Sequence, residues 1–251
     1  MVVAIISDIH SNKEALDAVL AQIDSQGIET ILCLGDVVGY NADPDACMGV
    51  VRSRAADIIR GNHDKAVAGF LDLEWFNPAA RAAALWTRSR VRPEVLEQIR
   101  GLPPGPRTFG PEGSILLCHG TPYDEDAYLM DAGSIEESFR TLDEGHRAAR
   151  FCLLGHTHVP MVVSRRRGSP RPQVFRGREA VPLEEGTLYL INPGSVGQPR
   201  DGIALASFGI LDTDTMTYRN VRVQYDMKET QRKILEAGLP SSLAYRLEQG
   251  R

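Results

Sequence analysis

VVAIISDIHSNKEALDAVLAQIDSQGIETILCLGD, residues 2–36, opens with the apolar run Val2 to Ile6 and closes with a second one, Thr30 to Gly35. Between them, Leu16, Val19, Leu20 and Ile23 recur at helical spacing within Asn12 to Asp24, which predicts a helix joining two short buried strands. The next segment repeats the pattern: a turn with Asn41, Asp43 and Pro44, a helix from about Pro44 to Arg54, and a short strand in DIIRGN that ends near Gly61. Such alternation implies βαβ units with right-handed crossovers and a largely parallel sheet. In open sheets of this kind ligands gather at the carboxyl ends of the strands. The polar residues fall there: Asp8 and His10 follow the first run, and Asp36 follows the second.

Downstream, residues 65–100 read as a mostly helical insert, with Pro78 suited to the first turn of FNPAARAAALWTRSRV and Trp86 facing inward. The insert serves as a lid over the strand ends or, more simply, as packing on the main body. After GLPPGPRTFGPEG come strand SILLC with His119, a helix in SIEESFRTL with Ser134 and Glu137 at capping-box spacing, and strand FCLLG. Beyond Gly155, PMVVS, TLYLIN, ALASFGILD and TYRNVRVQY alternate like hairpins of a second, more antiparallel sheet, followed by the amphipathic helix KETQRKILEAG. No linker interrupts the chain, so residues 1–251 are expected to form one domain with two sheets.

With 251 residues, 43% of them hydrophobic and 24% charged, the chain can bury a large core, which excludes a disordered or fibrous protein. The first residues have no basic region before Asp8 and His10, which excludes a signal peptide, and no apolar stretch is long enough to span a bilayer. A soluble, cytoplasmic protein without a membrane partner is expected. Cys33, Cys47, Cys118 and Cys152 show no C-x-x-C spacing, and three of them lie in apolar strands, so they read as reduced core residues. The net charge of -5 argues against a surface for non-specific nucleic-acid binding.

Five of the six histidines stand just after an apolar run, in Asp8-Ile9-His10, Gly61-Asn62-His63-Asp64, His119-Gly120 and Gly155-His156-Thr157-His158; Gly35-Asp36 adds a carboxylate. Imidazole and carboxylate together suit borderline divalent ions such as Mn, Fe, Zn, Co or Ni, whereas Mg or Ca sites use oxygen alone. Asp8, His10, Asp36, Asn62, His119, His156 and His158 are too many ligands for one open site. Two divalent ions about 3.5–4 Å apart, sharing one carboxylate, fit better.

The ordered series D-x-H, G-D, G-N-H-D, H-G, G-H-T-H, from Asp8 to His158, resembles the calcineurin-like metallophosphoesterase superfamily. Asn192-Pro193-Gly194-Ser195-Val196 after a strand is similar to its small bacterial and archaeal phosphodiesterase branch. The resemblance implies an α/β fold, a two-sheet β-sandwich flanked by helices in four αββα layers. It also implies one metal held by Asp8, His10, Asp36 and His158 and a second by Asp36, Asn62, His119 and His156, with Asp36 as the bridge. His63 would then stay off the metals and face the substrate as general acid. Asp64 either fixes the tautomer of His63 or caps the helix that begins there; both readings stand.

Two divalent cations with Asp8, Asp36 and a bridging hydroxide leave a local charge of roughly +1, which attracts a phosphate ester although the chain is acidic. Metal-bound hydroxide would attack phosphorus in line while His63 protonates the departing oxygen. A small-molecule or nucleotide phosphodiester is the expected substrate. A phosphomonoester, a nucleic acid, or use of the fold as a protein-binding scaffold are the alternatives. A protein phosphatase fits less well, because Val37-Val38-Gly39-Tyr40 has no arginine and the third motif ends in Asp64 rather than Glu. Asn12 and Arg200 lie just beyond motif turns and are candidates for contacting phosphate. The cluster Arg165, Arg166, Arg167, Arg171, Arg176 and Arg178 either guides a nucleotide or is a solvated hairpin tip, and His146 has no assigned role.

Overall fold

Asn12 starts the first helix by accepting a hydrogen bond from the Ala15 amide at 3.1 Å, as asparagine does at an N-cap. The computed structural model describes residues 1–175 and 180–251. In chain order the elements are β1 (Val2–Ile6), α1 (Lys13–Ser25), β2 (Thr30–Cys33), α2 (Pro44–Arg54), β3 (Asp57–Ile58), α3 (Asn62–Ala68), α4 (Pro78–Arg90), α5 (Pro93–Arg100), β4 (Arg107–Phe109), β5 (Ile115–Leu117), α6 (Ala132–Gly145) and β6 (Phe151–Leu153). The second half adds β7 (Met161–Arg166), β8 (Gln173–Phe175), β9 (Val181–Pro182), β10 (Thr187–Asn192), β11 (Ala206–Asp212), β12 (Thr217–Val223), α7 (Met227–Glu236) and α8 (Ser241–Tyr245).

Among the described residues the strands form two six-stranded sheets, ordered β3-β2-β1-β11-β12-β9 and β4-β5-β6-β10-β7-β8. Period-two alternation explains the layers. Val3 and Ile5 of β1 face Ile115 and Leu117 of β5 in a core between the sheets, while Ala4 and Ile6 turn the other way onto α1, α2 and α5. On the far side Leu116 and Cys152 meet Phe139 and Leu142 of α6. Both faces of the central strands are thus buried, which is why they read as continuous apolar runs. The result is the αββα sandwich, with all four cysteines free and buried.

The second sheet is not built from the late hairpins alone. β5 and β6 belong to it, parallel to each other and to β10, whereas the β11–β12 hairpin returns to the first sheet and pairs antiparallel with β1 from Val2↔Asp212 onward. The reason lies in β1, whose free edge would otherwise bury unpaired amides and carbonyls. Helix α6 also starts earlier than its sequence suggests. Asp131 is the N-cap and exchanges hydrogen bonds with Ser134, and Glu137 pairs with Arg140 instead. His146 is the C-cap of α6.

The insert packs on the body: Ala80 and Ala83 of α4 lie against Ile234 and Leu243 of the C-terminal helices, and the half-buried Trp86 donates its indole N–H to the Ala237 carbonyl at 3.0 Å. Part of the arginine cluster is a fastener. Arg165 is buried over the Phe139 ring and pairs with Glu136 and Asp143, and Arg167 also reaches Asp143. Arg166 and Arg171 are exposed; Arg176 and Arg178 lie outside the described residues. No helix among these residues is long and apolar enough to cross a membrane.

Candidate metal centre

Two parallel strand trios, β1-β2-β3 in one sheet and β5-β6-β10 in the other, bring their carboxyl ends to one edge of the sandwich. The loop after β1 is stitched to the loop after β2 by Asp8 N–H to Gly35 O (3.0 Å) and His10 N–H to Asp36 O (2.9 Å). Asn192, at the end of β10, donates to the Gly155 carbonyl at 2.6 Å, and the Ser195 hydroxyl donates to the Asp8 carbonyl at 2.8 Å. The Asn-Pro-Gly-Ser segment therefore clamps the Asp8 loop to the Gly-His-Thr-His loop. Asp8, His10, Asp36, His156 and His158 all hold positive φ, between 49° and 66°, a left-handed conformation costing about 1–2 kcal/mol for each side-chain-bearing residue. Strain of this kind concentrates at functional sites.

The ligating atoms of Asp8, His10, Asp36 and His158 lie within 4.8 Å of one another, as do those of Asp36, His119 and His156. Asp36 belongs to both groups. Its Oδ2 stands 3.6 Å from His10 Nε2 and 3.4 Å from His119 Nε2, while its Oδ1 accepts the His63 amide at 2.8 Å. Asp8 Oδ1 is 3.3 Å from His158 Nε2, and the Asn62 Oδ1 is 3.1 Å from His119 Nε2.

The hydrogen bonds at the back of the rings set their tautomers. His10 Nδ1 donates to Val38 O (3.3 Å), His158 Nδ1 to Gln198 O (2.6 Å) and His119 Nδ1 to Leu34 O (2.7 Å). His156 is turned around, with Nε2 donating to Asp126 O at 3.0 Å, which leaves Nδ1 as its free ligand atom. Carbonyl-bonded imidazoles of this kind are typical metal ligands. Burial drives the pKa of both His10 and His158 well below the ordinary histidine value, so neither ring carries a second proton. Their Nε2 atoms nonetheless face each other at 3.1 Å. Two lone pairs at that distance repel, and a cation between the rings turns the repulsion into ligation. The mixed nitrogen and oxygen donors, without thiolate, fit a borderline divalent ion.

The two carboxylates shift in opposite directions. Burial, with Asp36 adding to it, raises the Asp8 pKa to about 7. Burial also opposes ionisation of Asp36, but His119 and His63 overcome it and hold Asp36 well below the usual carboxylate range. Burial disfavours the charged form of His119 too, yet Asp36 raises its pKa to about 10.

Four other residues complete the picture. Asp64 is the helix cap: its Oδ2 accepts the Gly61 amide at 2.9 Å and its Oδ1 the Val38 amide at 3.2 Å. It does not touch His63, whose buried Nδ1 has no hydrogen-bond partner among the described residues, because consecutive residues on a helix point apart. Asn12 is fully buried, with its amide on Gly197 O (2.9 Å) and its oxygen on Ala15 N and Thr230 Oγ1; it braces α1 rather than facing the cluster. Arg200 lies beside the cluster, its guanidinium 5.8 Å over the Tyr40 ring and bonded to neutral acceptors, Tyr40 Oη and Gln198 Oε1. Tyr40, which the sequence reading passed over, wedges against His10 and His63 with ring centroids 4.6 and 4.3 Å away.

The profile of the calcineurin-like phosphoesterase superfamily domain matches residues 1–216. An uncharacterized protein of Methanocaldococcus jannaschii is 37% identical over 250 residues, 99% of this chain and 98% of its own length. A crystal structure of a metallophosphoesterase from Sphaerobacter thermophilus superposes with a TM-score of 0.84 at 37% identity, covering 100% of this chain and 99% of that one. A hypothetical protein from Pyrococcus horikoshii OT3 shares the fold at 20% identity with a TM-score of 0.79, covering 100% and 98% of the two chains. Motif order, sandwich and profile coincide, and the chain belongs to the calcineurin-like phosphoesterase superfamily.

Proposed function

We propose that the chain hydrolyses small phosphodiesters with two divalent ions, one held by Asp8, His10, Asp36 and His158 and the other by Asp36, Asn62, His119 and His156. The observation that carries this reading is the facing ring nitrogens of His10 and His158, 3.1 Å apart, with each ring's Nδ1 on a backbone carbonyl, beside a carboxylate within reach of both groups. Divalent ions held there would supply Lewis-acid polarisation of phosphoryl oxygens and an acidified water as nucleophile.

The chain's own residues do the rest. Asp36 fixes the spacing of the two groups, and the amide of His63 fixes Asp36. His63 stands next to Asn62 with its ring in the cleft beside the cluster, placed to protonate the departing oxygen. Burial lowers its pKa to about 4 in the free chain, and an anionic phosphate beside the ring is what lets it take up a proton. Arg200 is a candidate contact for a non-bridging phosphate oxygen.

The local charge of roughly +1 matches a monoanionic diester. Arg200 adds a positive charge at the rim and favours a second reading, phosphomonoester hydrolysis. Manganese-loaded protein assayed on bis(p-nitrophenyl) phosphate and p-nitrophenyl phosphate separates the two. A higher kcat/KM for the diester is expected, and a strong preference for the monoester would assign the second reading.

A further inference from the structure

We infer that the cleft beside the cluster is a subsite for a planar aromatic ring carried by the ester, and that Trp75, Phe76 and Tyr128 recognise it. The inference rests on the phosphoesterase reading above and names the kind of ester it acts on. The cleft has a volume of about 360 Å³. Asn62, His63 and His156 line it together with four aromatic rings, those three and Tyr40.

The walls are built rather than accidental. Trp75 is 87% exposed and Tyr128 45% exposed, two large rings left in water at the mouth of one cavity. Single exposed apolar residues need no explanation, but a group of them around a concave site marks a ligand surface. The Tyr128 ring stacks on His156 with centroids 3.9 Å apart and planes 23° apart, and Phe76 lies 4.8 Å from His63. The rings are thus positioned by the same side chains that would face the phosphate. The segment bearing Trp75 is pinned on both sides: Asp72 caps the turn Leu73–Trp75, whose Leu73 is buried, and Asn77 caps α4.

Charge narrows the occupant. Among the described residues, no lysine or arginine lines the cleft. The carboxylate of Asp126, its one acidic lining residue, is engaged by Lys65 Nζ at 2.5 Å. The cations nearest the cleft are already engaged, Lys65 by Glu125 and Asp126 and Arg200 by Tyr40 Oη and Gln198 Oε1, whereas a neutral flat ring finds faces to stack on. His63, the proposed general acid, lines the same cleft as these rings, which assigns the ring to the leaving group.

Ligand binding tests this without turnover. Phosphonates are not hydrolysed at their P–C bond, so benzylphosphonate, cyclohexylmethylphosphonate and an adenine-bearing acyclic phosphonate can be titrated into the manganese-loaded chain. In Trp86→Phe, Trp75 is the one remaining tryptophan, and its fluorescence reads the cleft directly. Both aromatic ligands should quench Trp75 and bind at least about tenfold more tightly than the cyclohexyl one. By calorimetry, Trp75→Ala and Tyr128→Ala should each shrink that ratio by about fivefold or more, toward one, as loss of a stacked ring requires. Adenine binding more tightly than benzyl would assign a nucleotide; equal binding would assign a simple aryl ester. Equal affinity for the benzyl and cyclohexyl compounds in a chain that hydrolyses bis(p-nitrophenyl) phosphate overturns the subsite and leaves the phosphoesterase reading intact. Ring-selective quenching in a chain that hydrolyses no ester keeps the subsite and overturns that reading.

Discussion

Asp36 divides its carboxylate between two tasks, with Oδ1 accepting the His63 amide and Oδ2 set between the rings of His10 and His119. That division keeps the His63 side chain off the proposed ligand set while its amide holds Asp36. His63→Ala should keep its bound ions, because none of the grouped ligand atoms is lost. It should slow hydrolysis of a diester with a poor alkoxide leaving group by about 10²- to 10⁴-fold, and of a nitrophenyl ester much less. Equal losses on both substrates would make His63 a phosphate-positioning group, and loss of metal would make it a ligand. Asp64 behaves differently. As a cap bonded to two amides, it should cost about 1–2 kcal/mol in urea denaturation when changed to Ala, without altering the dependence on leaving group. The proposed ligands were legible because they stand beside apolar runs in short motifs of chemically unusual neighbours. Their partners Val38 O, Leu34 O, Gln198 O and Asp126 O were not, since a backbone carbonyl has no residue signature. The role of Asp64 could not be decided from spacing either, because a capping carboxylate and one that orients a histidine look identical in sequence.

At the scale of elements, the site depends on close approach between the loop after β2 and the start of α3. Gly61, the N-cap of α3, has an ordinary φ of −107°, so its importance is spatial: a Cβ there would lie 2.1 Å from Asp36 Oδ1. Gly61→Ala must displace Asp36, and displacements of about 1 Å at a reacting centre cost on the order of 10²-fold in rate. Metal content and kcat should fall together while the far-UV circular dichroism is retained; full activity would show that Asp36 has room to move. The βαβ units of the first third were legible because helix and strand periodicities alternate cleanly. The sheet membership of β11 and β12 was not, because alternation identifies a strand and its buried faces but not the edge it joins. The cleft rings Trp75, Phe76 and Tyr128 also escaped notice. They come from two separate loops, and only folding brings them to one side of His63 and His156.

Across the whole molecule, two sheets and their helices hold strained backbone at five of the seven proposed ligands and, at the centre of the cluster, facing ring nitrogens. Ions that bind only the folded arrangement must therefore stabilise it. At about a thousandfold excess over Kd each ion adds about 4 kcal/mol, and in a chain of this size 1 kcal/mol moves Tm by about 2–4 °C. Chelation should lower Tm by more than about 10 °C, reversibly on adding manganese; an unchanged Tm would mean that the cluster is structural without ions. The central claim, two ions sharing Asp36, is tested most directly by counting metal per chain in the purified wild type, Asp8→Asn and Asp36→Asn after manganese loading. The account predicts about two ions in the wild type, loss mainly of one in Asp8→Asn, and loss at both positions in Asp36→Asn. One ion in the wild type, or the same loss of a single ion in both variants, would contradict it.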